Sequence, residues 1–485
     1  MTEKNPKKSG MKRRDFLKSA AAVAGAAVLG PNVIGCGDAG ETSLAPVRGD
    51  GSSPLHYIEN VVILQMENRS FDHYFASLII DEGRTDIIGA DSTFYNETSD
   101  GSARIYAQWI DEHYEIDPDP PHNFGSNNRQ WNLGMNDGFV REWEATLAGA
   151  ELQPKEYDSK LGLVMGYYKR EQLPALYTLA DHFTLADQWY CSMLGPTWPN
   201  RKYSHAATSE GTRNNRGELY ARTPYREMKE KGLTVKTYAS LPFFHFGIIV
   251  QDLNVGLADT MDDFFRDAAQ GTLPNVSIVE PDYSLNDDHP PQDIRLGQSF
   301  IASVYEALRQ SPQWERSLML VFYDEHGGFF DSQPPPTVEG EELAADGFDQ
   351  LGFRVPGLLI GPLVKRGHVF SEVVDHSSVP ALLSRIFELE QVNERAALAG
   401  DLSLALDIEL IEHSKRPEAP ALTAIDVRHS SIRHALNQPF GQPELLAHAR
   451  RKYGVDLPPY AERLRAAEAF YGTLENRRVA RIIGN

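Results

Sequence analysis

The sequence has 485 residues but only two cysteines, Cys36 and Cys191. Two cysteines cannot build the set of disulfides that stabilises small exported domains. Cys36 also falls beside an N-terminal export signal, so the mature chain has no intrachain disulfide framework even in an oxidising compartment. The fold therefore depends on its hydrophobic core and on any metal that it binds.

Positive charge is also scarce. The chain has 47 Lys and Arg residues against 68 Asp and Glu residues, which gives a formal net charge of −21. A protein that binds duplex nucleic acid needs basic residues to neutralise phosphates. A nucleic-acid partner is therefore not expected.

The N-terminus lacks an apolar run long enough to span a membrane in the mature protein. The run from Ala20 to Gly30 is short, rich in small residues and preceded by the pair Arg13-Arg14, which resembles a twin-arginine export signal. Val33 to Cys36 then resembles a lipoprotein processing box, which predicts a periplasmic or cell-surface lipoprotein held to the membrane by an acyl chain on Cys36. The alternative is that Cys36 lies by chance near an ordinary cleavage site.

Internal repeats are absent, so we expect one main domain. We predict a signal peptide at 1–36, a flexible Gly- and Ser-rich tether at 37–54 and a main domain at 55–440. The segment 441–485 is charged and helix-like, and we expect it to pack on the outside of the main domain; we assign no chemistry to it.

Short apolar runs alternate with helix-like stretches along the main domain. The predicted strands are 58–66, 275–279, 318–323 and 355–360, and the predicted helices include 173–183, 300–309 and 379–389. This alternation predicts an α/β fold, with a doubly wound, largely parallel sheet and helices on both faces.

Polar clusters follow three of these strands. They are Glu67-Asn68, Asp287-Asp288-His289 and Asp324-Glu325-His326. Ligands of such sheets bind at the carboxyl ends of the strands, so these clusters are expected to meet at one edge. Carboxylate and amide oxygens suit a divalent cation such as Ca²⁺, Mg²⁺ or Mn²⁺ better than Zn²⁺.

Each cluster also has a structural interpretation when taken singly. Glu67-Asn68 suits a helix start, Asp324 to Gly328 suits a solvated turn, and Asp288 to Pro291 suits a rigid turn. Thr197, which lies between two prolines, could be an ordinary loop residue.

Taken in order, however, the motifs resemble the phospholipase C and acid phosphatase family, a branch of the alkaline-phosphatase-like superfamily. The matching segments are Glu67-Asn68-Arg69-Ser70-Phe71-Asp72-His73, Leu194-Gly195-Pro196-Thr197-Trp198-Pro199-Asn200-Arg201, Asn286-Asp287-Asp288-His289-Pro290-Pro291 and Tyr323-Asp324-Glu325-His326-Gly327-Gly328-Phe329-Phe330-Asp331. The resemblance covers most of the mature chain, from about residue 58 to 389. It departs at Ser332, where relatives commonly have a histidine, and this leaves head-group preference open.

The resemblance implies a role for each matching residue. The metal ligands would be Glu67, Asn68, Asp324, Glu325 and the nucleophile Thr197. His289 and His122 would act on the leaving alcohol or on phosphate. Arg201 would orient the nucleophile loop or bind a phosphate oxygen. Asp288 and His376 would support these residues from behind.

We therefore expect a metal-dependent phosphoesterase, similar to phospholipase C, that acts through a phosphothreonine at Thr197. The expected substrate is a phospholipid or another phosphodiester. A phosphomonoesterase with the same nucleophile and metal is an alternative, and so is a surface lipoprotein that only binds. A sulfatase does not fit, because threonine cannot be oxidised to the aldehyde that sulfatases use.

Overall fold

The computed structural model describes residues 54–484 except 112, 151, 254–256, 408–409, 411–415 and 417. All of the described residues belong to one compact unit. The predicted signal peptide, its Cys36 and the tether up to residue 53 lie outside the described residues.

A central sheet organises the described part of the chain. Its seven strands are β1 (Asn60–Met66), β6 (Thr184–Ala186), β8 (Val235–Ala239), β9 (Val276–Glu280), β10 (Ser317–Tyr323), β11 (Gly357–Ile360) and β12 (His368–Phe370). They lie in the order β12-β6-β11-β10-β1-β9-β8. Short strands pair outside it: β2 (Tyr95–Glu97) with β3 (Arg104–Tyr106), β4 (Gln108–Trp109) with β5 (Gly166–Tyr167), β7 (Trp189–Tyr190) with β13 (Val374–Asp375), and β14 (Ile425–Arg428) with β15 (Ala480–Ile483).

The middle of the central sheet is parallel. β1 pairs in parallel with β10 on one side and with β9 on the other, and only β11 runs antiparallel to both of its neighbours. Every residue of β1 and of β10 is buried, so both faces of the sheet are covered. Continuous apolar strands of this kind are typical of parallel sheets between layers of helices.

The helices connect and cover these strands. They are α1 (Phe71–Ile80), α2 (Phe124–Trp131), α3 (Phe139–Gly149), α4 (Pro154–Lys160), α5 (Pro174–His182), α6 (Thr197–Ala206), α7 (Pro224–Glu230), α8 (Met261–Gln270), α9 (Ile294–Arg309), α10 (Ser378–Ile386), α11 (Glu394–Ala397), α12 (His429–Asn437), α13 (Pro443–Tyr453) and α14 (Tyr460–Asn476). Several begin at a side chain that caps the first turn, such as Ser70 at α1 and Asn123 at α2. None of the described helices is both long enough and apolar enough to cross a membrane.

The predicted α/β fold with a largely parallel sheet is confirmed. The four predicted strands correspond to β1, β9, β10 and β11, and the three predicted helices correspond to α5, the second half of α9, and α10. The sequence did not predict β6, β8 and β12, because β6 and β12 are only three residues long and β8 contains Lys236 and Thr237 in place of a continuous apolar run.

The C-terminal segment is tied to the same end of the central sheet as the predicted site. The backbone N–H of Gly441 donates to the carbonyl of Tyr283, in the loop that follows β9, at 2.9 Å. β15 pairs with β14, which precedes the predicted boundary at residue 441. This docking brings the first turn of α13 close to the strand ends.

Candidate active site

Two adjacent strand ends carry four of the predicted metal ligands. Glu67-Asn68 follows β1 and Asp324-Glu325 follows β10, and all four side chains are fully buried. The backbone N–H groups of Asn68 and Glu325 both donate to Oδ1 of Asp324, at 3.1 and 2.7 Å. The parallel register of β1 and β10 therefore brings together residues that are more than 250 positions apart in the chain.

The turn after β10 can approach this close only because it contains glycine. Gly327 has φ of +63°, and a Cβ atom at this position would lie 2.2 Å from the carbonyl oxygen of Asn68. Asn68 itself has φ of +62°, a conformation that asparagine tolerates better than most residues. The two turns interlock, and their sequences are constrained by backbone contact as well as by chemistry.

Thr197 lies at the first position of α6, where a buried asparagine fixes the preceding loop. Oδ1 of Asn200 accepts from the backbone N–H of Met193, and its Nδ2 donates to the carbonyls of Gly195 and Pro196 at 2.9 and 3.2 Å. A proline in the first helical turn costs little, because the N–H groups there have no intrahelical partner. The Gly-Pro-Thr-x-Pro-Asn pattern thus presents the Thr197 hydroxyl at the positive end of a helix dipole.

Gln442, in the C-terminal segment, joins the nucleophile loop to the carboxylates. Its Nε2 lies 3.1 and 2.8 Å from the two carboxylate oxygens of Glu67 and 3.4 Å from Oγ1 of Thr197. Its Oε1 accepts from the indole N–H of Trp198. Sequence reasoning missed this residue, since a lone glutamine before a charged helix has no distinguishing pattern.

Arg201 lies beneath the carboxylates as their counter-ion. Its guanidinium lies 3.2 Å from Glu67, 3.3 Å from Asp324 and 3.5 Å from Glu280. It also donates to the carbonyl of Gln65 at 3.1 Å. These contacts place its positive charge under the acidic cluster and tie α6 to the end of β1.

The acidic cluster carries more negative charge than Arg201 can balance. Burial raises the pKa of Glu67 well above its ordinary value, and repulsion from Asp324 raises it further. Burial and Asp324 raise the pKa of Glu325 in the same way. Within the described residues, Oδ1 of Asn68 and Oε1 of Glu325 have no hydrogen-bond partner. Buried acceptors without donors, next to repelling carboxylates, fit a divalent cation held by oxygen ligands.

Two histidines line the exposed side of this cluster. Nδ1 of His122 lies 2.8 Å from the carbonyl of Pro120, and Nδ1 of His289 lies 2.6 Å from the carbonyl of Pro290. A carbonyl can only accept, so each Nδ1 carries a proton and each Nε2 is the basic atom of the neutral ring. Nε2 of His122 is 3.4 Å from the amide nitrogen of Asn68, which places this atom beside the predicted metal ligands.

Asp119 completes a second group of ligand-type side chains. One atom each of Asp119, His122 and His289 lies within 4.8 Å of the others, which is close enough for one metal ion. Burial lowers the pKa of His289, and the nearby carboxylate of Asp119 opposes that shift. Sequence reasoning also missed Asp119, although an acid three residues before a predicted active-site histidine is a signal that could have indicated it.

Asp288 and His376 lie behind the site. Oδ2 of Asp288 accepts from the hydroxyls of Tyr74 and Tyr323 at 3.0 and 2.5 Å, and burial raises its pKa to about 6. Nδ1 of His376 accepts from the indole of Trp189, so its Nε2 donates to the backbone carbonyl of Asp324 at 2.7 Å. Both residues support the turns that carry His289 and Asp324.

Ser332, where the sequence departs from the expected family motif, belongs to a separate buried network. Its backbone N–H donates to Asp72 at 2.6 Å, and Arg354 lies 3.4 Å from its hydroxyl. Arg354 also pairs with Asp331 at 2.9 Å. This network fixes α1 against the turn that follows β10.

A cavity opens beside the nucleophile loop. It measures about 500 Å³ and is lined by Trp198, which follows Thr197 in the chain, and by one side of α13 from Glu444 to Lys452. A second cavity, of about 820 Å³, lies beside the start of α9. None of the predicted site residues lines either cavity.

The sequence matches a known protein family. The model of the Phosphoesterase family matches residues 58–390, which include every predicted site residue. This chain belongs to the phosphoesterase family. It is thus a phosphoric ester hydrolase of the phospholipase C-like type. A model of the twin-arginine translocation signal sequence matches residues 10–30, so export follows that pathway.

Curated relatives come from plants and bacteria. The chain is 34% identical to non-specific phospholipase C1 of Arabidopsis thaliana over 384 residues, which cover 71% of this chain and 70% of that protein. It is 28% identical to phospholipase C A of Mycobacterium tuberculosis over 479 residues, 84% and 87% of the two chains. A solved structure from Vibrio parahaemolyticus, in the alkaline phosphatase superfamily, matches with a TM-score of 0.30 and 12% identity over 46% of this chain and 62% of that chain.

Proposed function

We propose that the protein is a metal-dependent phosphodiesterase that hydrolyses phospholipids in the manner of phospholipase C, through a phosphothreonine at Thr197. The observation that carries this proposal is the hydroxyl of Thr197, which lies at a helix N-terminus and contacts the same Gln442 amide as Glu67, one of four buried residues whose oxygen lone pairs are not all satisfied. The names of the plant and mycobacterial relatives support phospholipid as the substrate class.

One divalent cation would be held by Glu67, Asn68, Asp324, Glu325 and Thr197. The oxygen atoms of these residues favour Ca²⁺, Mg²⁺ or Mn²⁺ over Zn²⁺. When bound, such a cation lowers the pKa of a coordinated alcohol and neutralises phosphate charge. Arg201 balances part of the acidic charge and positions the carboxylates, so we assign it a positioning role. The Asp119 group would be the alternative place for a metal.

The chain's own residues supply the remaining steps. The Thr197 oxygen attacks phosphorus, the phosphorus–oxygen bond to the leaving alcohol breaks, and a phosphothreonine forms. As Thr197 attacks, Nε2 of His289 or His122, which carries no proton in the neutral ring, takes the hydroxyl proton of Thr197 and passes it to the leaving alkoxide. Water then attacks the phosphorus, and the same Nε2 takes a proton from this water and returns it to the Thr197 oxygen, which releases the phosphorylated head group as a phosphomonoester. Their fixed Nδ1–H bonds leave Nε2 as the atom that exchanges the proton.

The proposed enzyme has a catalytic domain, a C-terminal segment and a lipid anchor. Residues 55–440 would form the catalytic domain, and the C-terminal segment 441–485 would contribute Gln442 to it. Acylation of Cys36 after export would hold the enzyme at the membrane that contains its substrate, and Cys36→Ser protein should then leave the membrane fraction.

The test is hydrolysis of a chromogenic phosphodiester and of the matching monoester, each with and without chelator. We expect chelator-sensitive turnover that favours the diester and is lost in Thr197→Ala. Thr473→Ala, on the exposed face of α14, is the control. Faster turnover of the monoester would assign the protein as a phosphomonoesterase instead. Full turnover in Thr197→Ala would remove the nucleophile assignment, and no hydrolysis under any metal would favour a protein that only binds.

A further inference from the structure

The loop that follows α2 exposes two apolar side chains to solvent. Leu133 is 85% exposed and Met135 is 70% exposed, which makes them the two most exposed large apolar residues in the described part of the chain. We call this pair the apolar tip. Single exposed apolar residues are ordinary on protein surfaces, so exposure alone assigns nothing to them.

The backbone conformation of the tip is unusual and is not that of a relaxed loop. Asn132, Leu133, Gly134 and Asn136 all have positive φ, of 41°, 55°, 91° and 51°. Leucine rarely adopts this region, because its Cβ crowds the backbone there. A conformation of this kind persists only where the surrounding structure enforces it, and such strain concentrates at functional sites.

Hydrogen bonds of Asn136 and a close backbone approach at Gly138, both after the tip, enforce this conformation. Nδ2 of Asn136 donates to the carbonyl of Asp331 at 3.0 Å, and Nδ2 of Asn96, from the β2–β3 hairpin, donates to the carbonyl of Asn136 at 3.1 Å. Gly138 closes the loop against α2, where a Cβ atom would lie 2.0 Å from the carbonyl of Arg129. The tip is thus a fixed projection, and binding to it would not require the loop to become ordered.

The tip is rigidly connected to the active site through α2. This helix begins at the cap residue Asn123, directly after His122, and ends at Trp131, directly before the tip. Gln130 in its last turn donates to the carbonyl of Pro121 at 2.7 Å and lies 2.9 Å from Nε2 of His326. Because α2 connects them, a surface that the tip enters would lie at a fixed position relative to His122.

We propose that the apolar tip inserts into the lipid surface and seats the active site at the head-group layer. This inference rests on the proposed phospholipase function. A helix of eight residues is about 12 Å long, whereas the head-group region of one leaflet is roughly 5–8 Å thick. With α2 along the membrane normal, a tip at the boundary between head groups and acyl chains would hold His122, at the other end of the helix, just outside the head-group layer.

The apolar tip is proposed to enter a phospholipid bilayer. Leu404, an exposed leucine elsewhere on the surface, provides a control for Leu133. Leu404 is also a markedly exposed leucine, at 53%, and its carbonyl accepts from Lys365, close to the amino end of β12. It therefore lies away from the carboxyl ends of the strands that form the site. Leu404→Ser removes an exposed leucine of the same kind without altering the tip.

The experiment measures sedimentation with phosphatidylcholine vesicles and turnover of the same vesicles, with a water-soluble chromogenic phosphodiester as the reference substrate. All proteins carry Cys36→Ser, so that no acyl chain contributes to binding. We expect Leu133→Ser/Met135→Ser to lower vesicle binding and vesicle turnover by about tenfold or more, since two apolar side chains lose their transfer into lipid. Turnover of the soluble diester should stay within about twofold of the unsubstituted protein, given that the tip lies outside the chemistry.

Leu404→Ser should behave like the unsubstituted protein on both substrates. Equal vesicle binding by the double variant would overturn the inference, and so would an equal loss on the soluble and vesicle substrates. If the double variant instead converts a dimer to a monomer in sedimentation velocity, the tip binds a second copy of the chain and the lipid assignment is wrong. Tip-dependent vesicle binding without lipid hydrolysis would refute the proposed function and leave this inference standing.

Discussion

Replacing Gln442 by leucine tests whether the C-terminal segment takes part in the site. The substitution keeps the approximate volume of the side chain and removes the amide that donates to both oxygens of Glu67 at 3.1 and 2.8 Å. The bond from the Trp198 indole to Oε1 is lost with it.

The expected magnitude follows from the burial of Glu67. A hydrogen bond to a charged group contributes about 1.5–3 kcal/mol, and here the charged group is fully buried. Without the amide, the pKa of Glu67, already raised by burial and by Asp324, rises further. A carboxylate must lose its proton before it binds a cation, so Gln442→Leu should weaken apparent cation affinity by about 10- to 100-fold.

The assay is initial rate against free cation concentration at fixed pH. In Gln442→Leu, the cation concentration that gives half-maximal rate should rise by about 10- to 100-fold. At saturating cation the variant should recover most of its turnover, because the 3.4 Å contact from Gln442 to Thr197 is long for a strong hydrogen bond. Gln438→Leu is the matched control, because this glutamine contacts His434 outside the site. An unchanged midpoint in Gln442→Leu would refute the role of Gln442.

Two further substitution sets test the backbone fit and the buried histidines. Gly327→Ala should lower turnover and cation affinity at least tenfold, because the new Cβ atom displaces Asn68. Gly347 also has positive φ but has open space around it. Gly347→Ala should therefore lower only the free energy of unfolding, measured in urea, and leave turnover unchanged. Burial lowers the pKa of His205 and of His245 to about 3 from 6.5, so below pH 6.5 the unfolded chain takes up protons that the folded chain does not. Stability should therefore fall by about 1.4 kcal/mol per histidine between pH 7.5 and 5.5, and His205→Gln should remove its share; an unchanged slope would show that this ring is protonated in the fold.

The parallel middle of the sheet could be predicted because its strands are continuous apolar runs. Once β1, β9 and β10 are placed side by side, the polar residues that follow them must converge, and Glu67, Asn68 and Asp324 do so. The roles of these residues, and of Thr197, came from resemblance to a family, since no periodicity distinguishes a ligand from a helix cap.

Other features depend on contacts between distant segments, which a single sequence does not display. Gln442 reaches Glu67 across 375 positions, and Arg201 reaches Asp324 across 123. The exposure of Leu133 could not be predicted either, because an apolar residue two positions after a tryptophan and a helix end normally indicates burial. Such features arise from tertiary packing and become visible only in the structure.

The central claim is that Thr197 carries the phosphoryl group during turnover. The most direct measurement is mass spectrometry of peptides from enzyme that is acid-quenched while it hydrolyses a phosphodiester at saturating cation. We expect the peptide that contains Thr197 to carry one phosphoryl group that is still esterified to the second alcohol of the substrate; this adduct should be absent when chelator is added before substrate and absent in Thr197→Ala. Rapid turnover with the phosphoryl group on another residue, or undiminished turnover in Thr197→Ala, would contradict it.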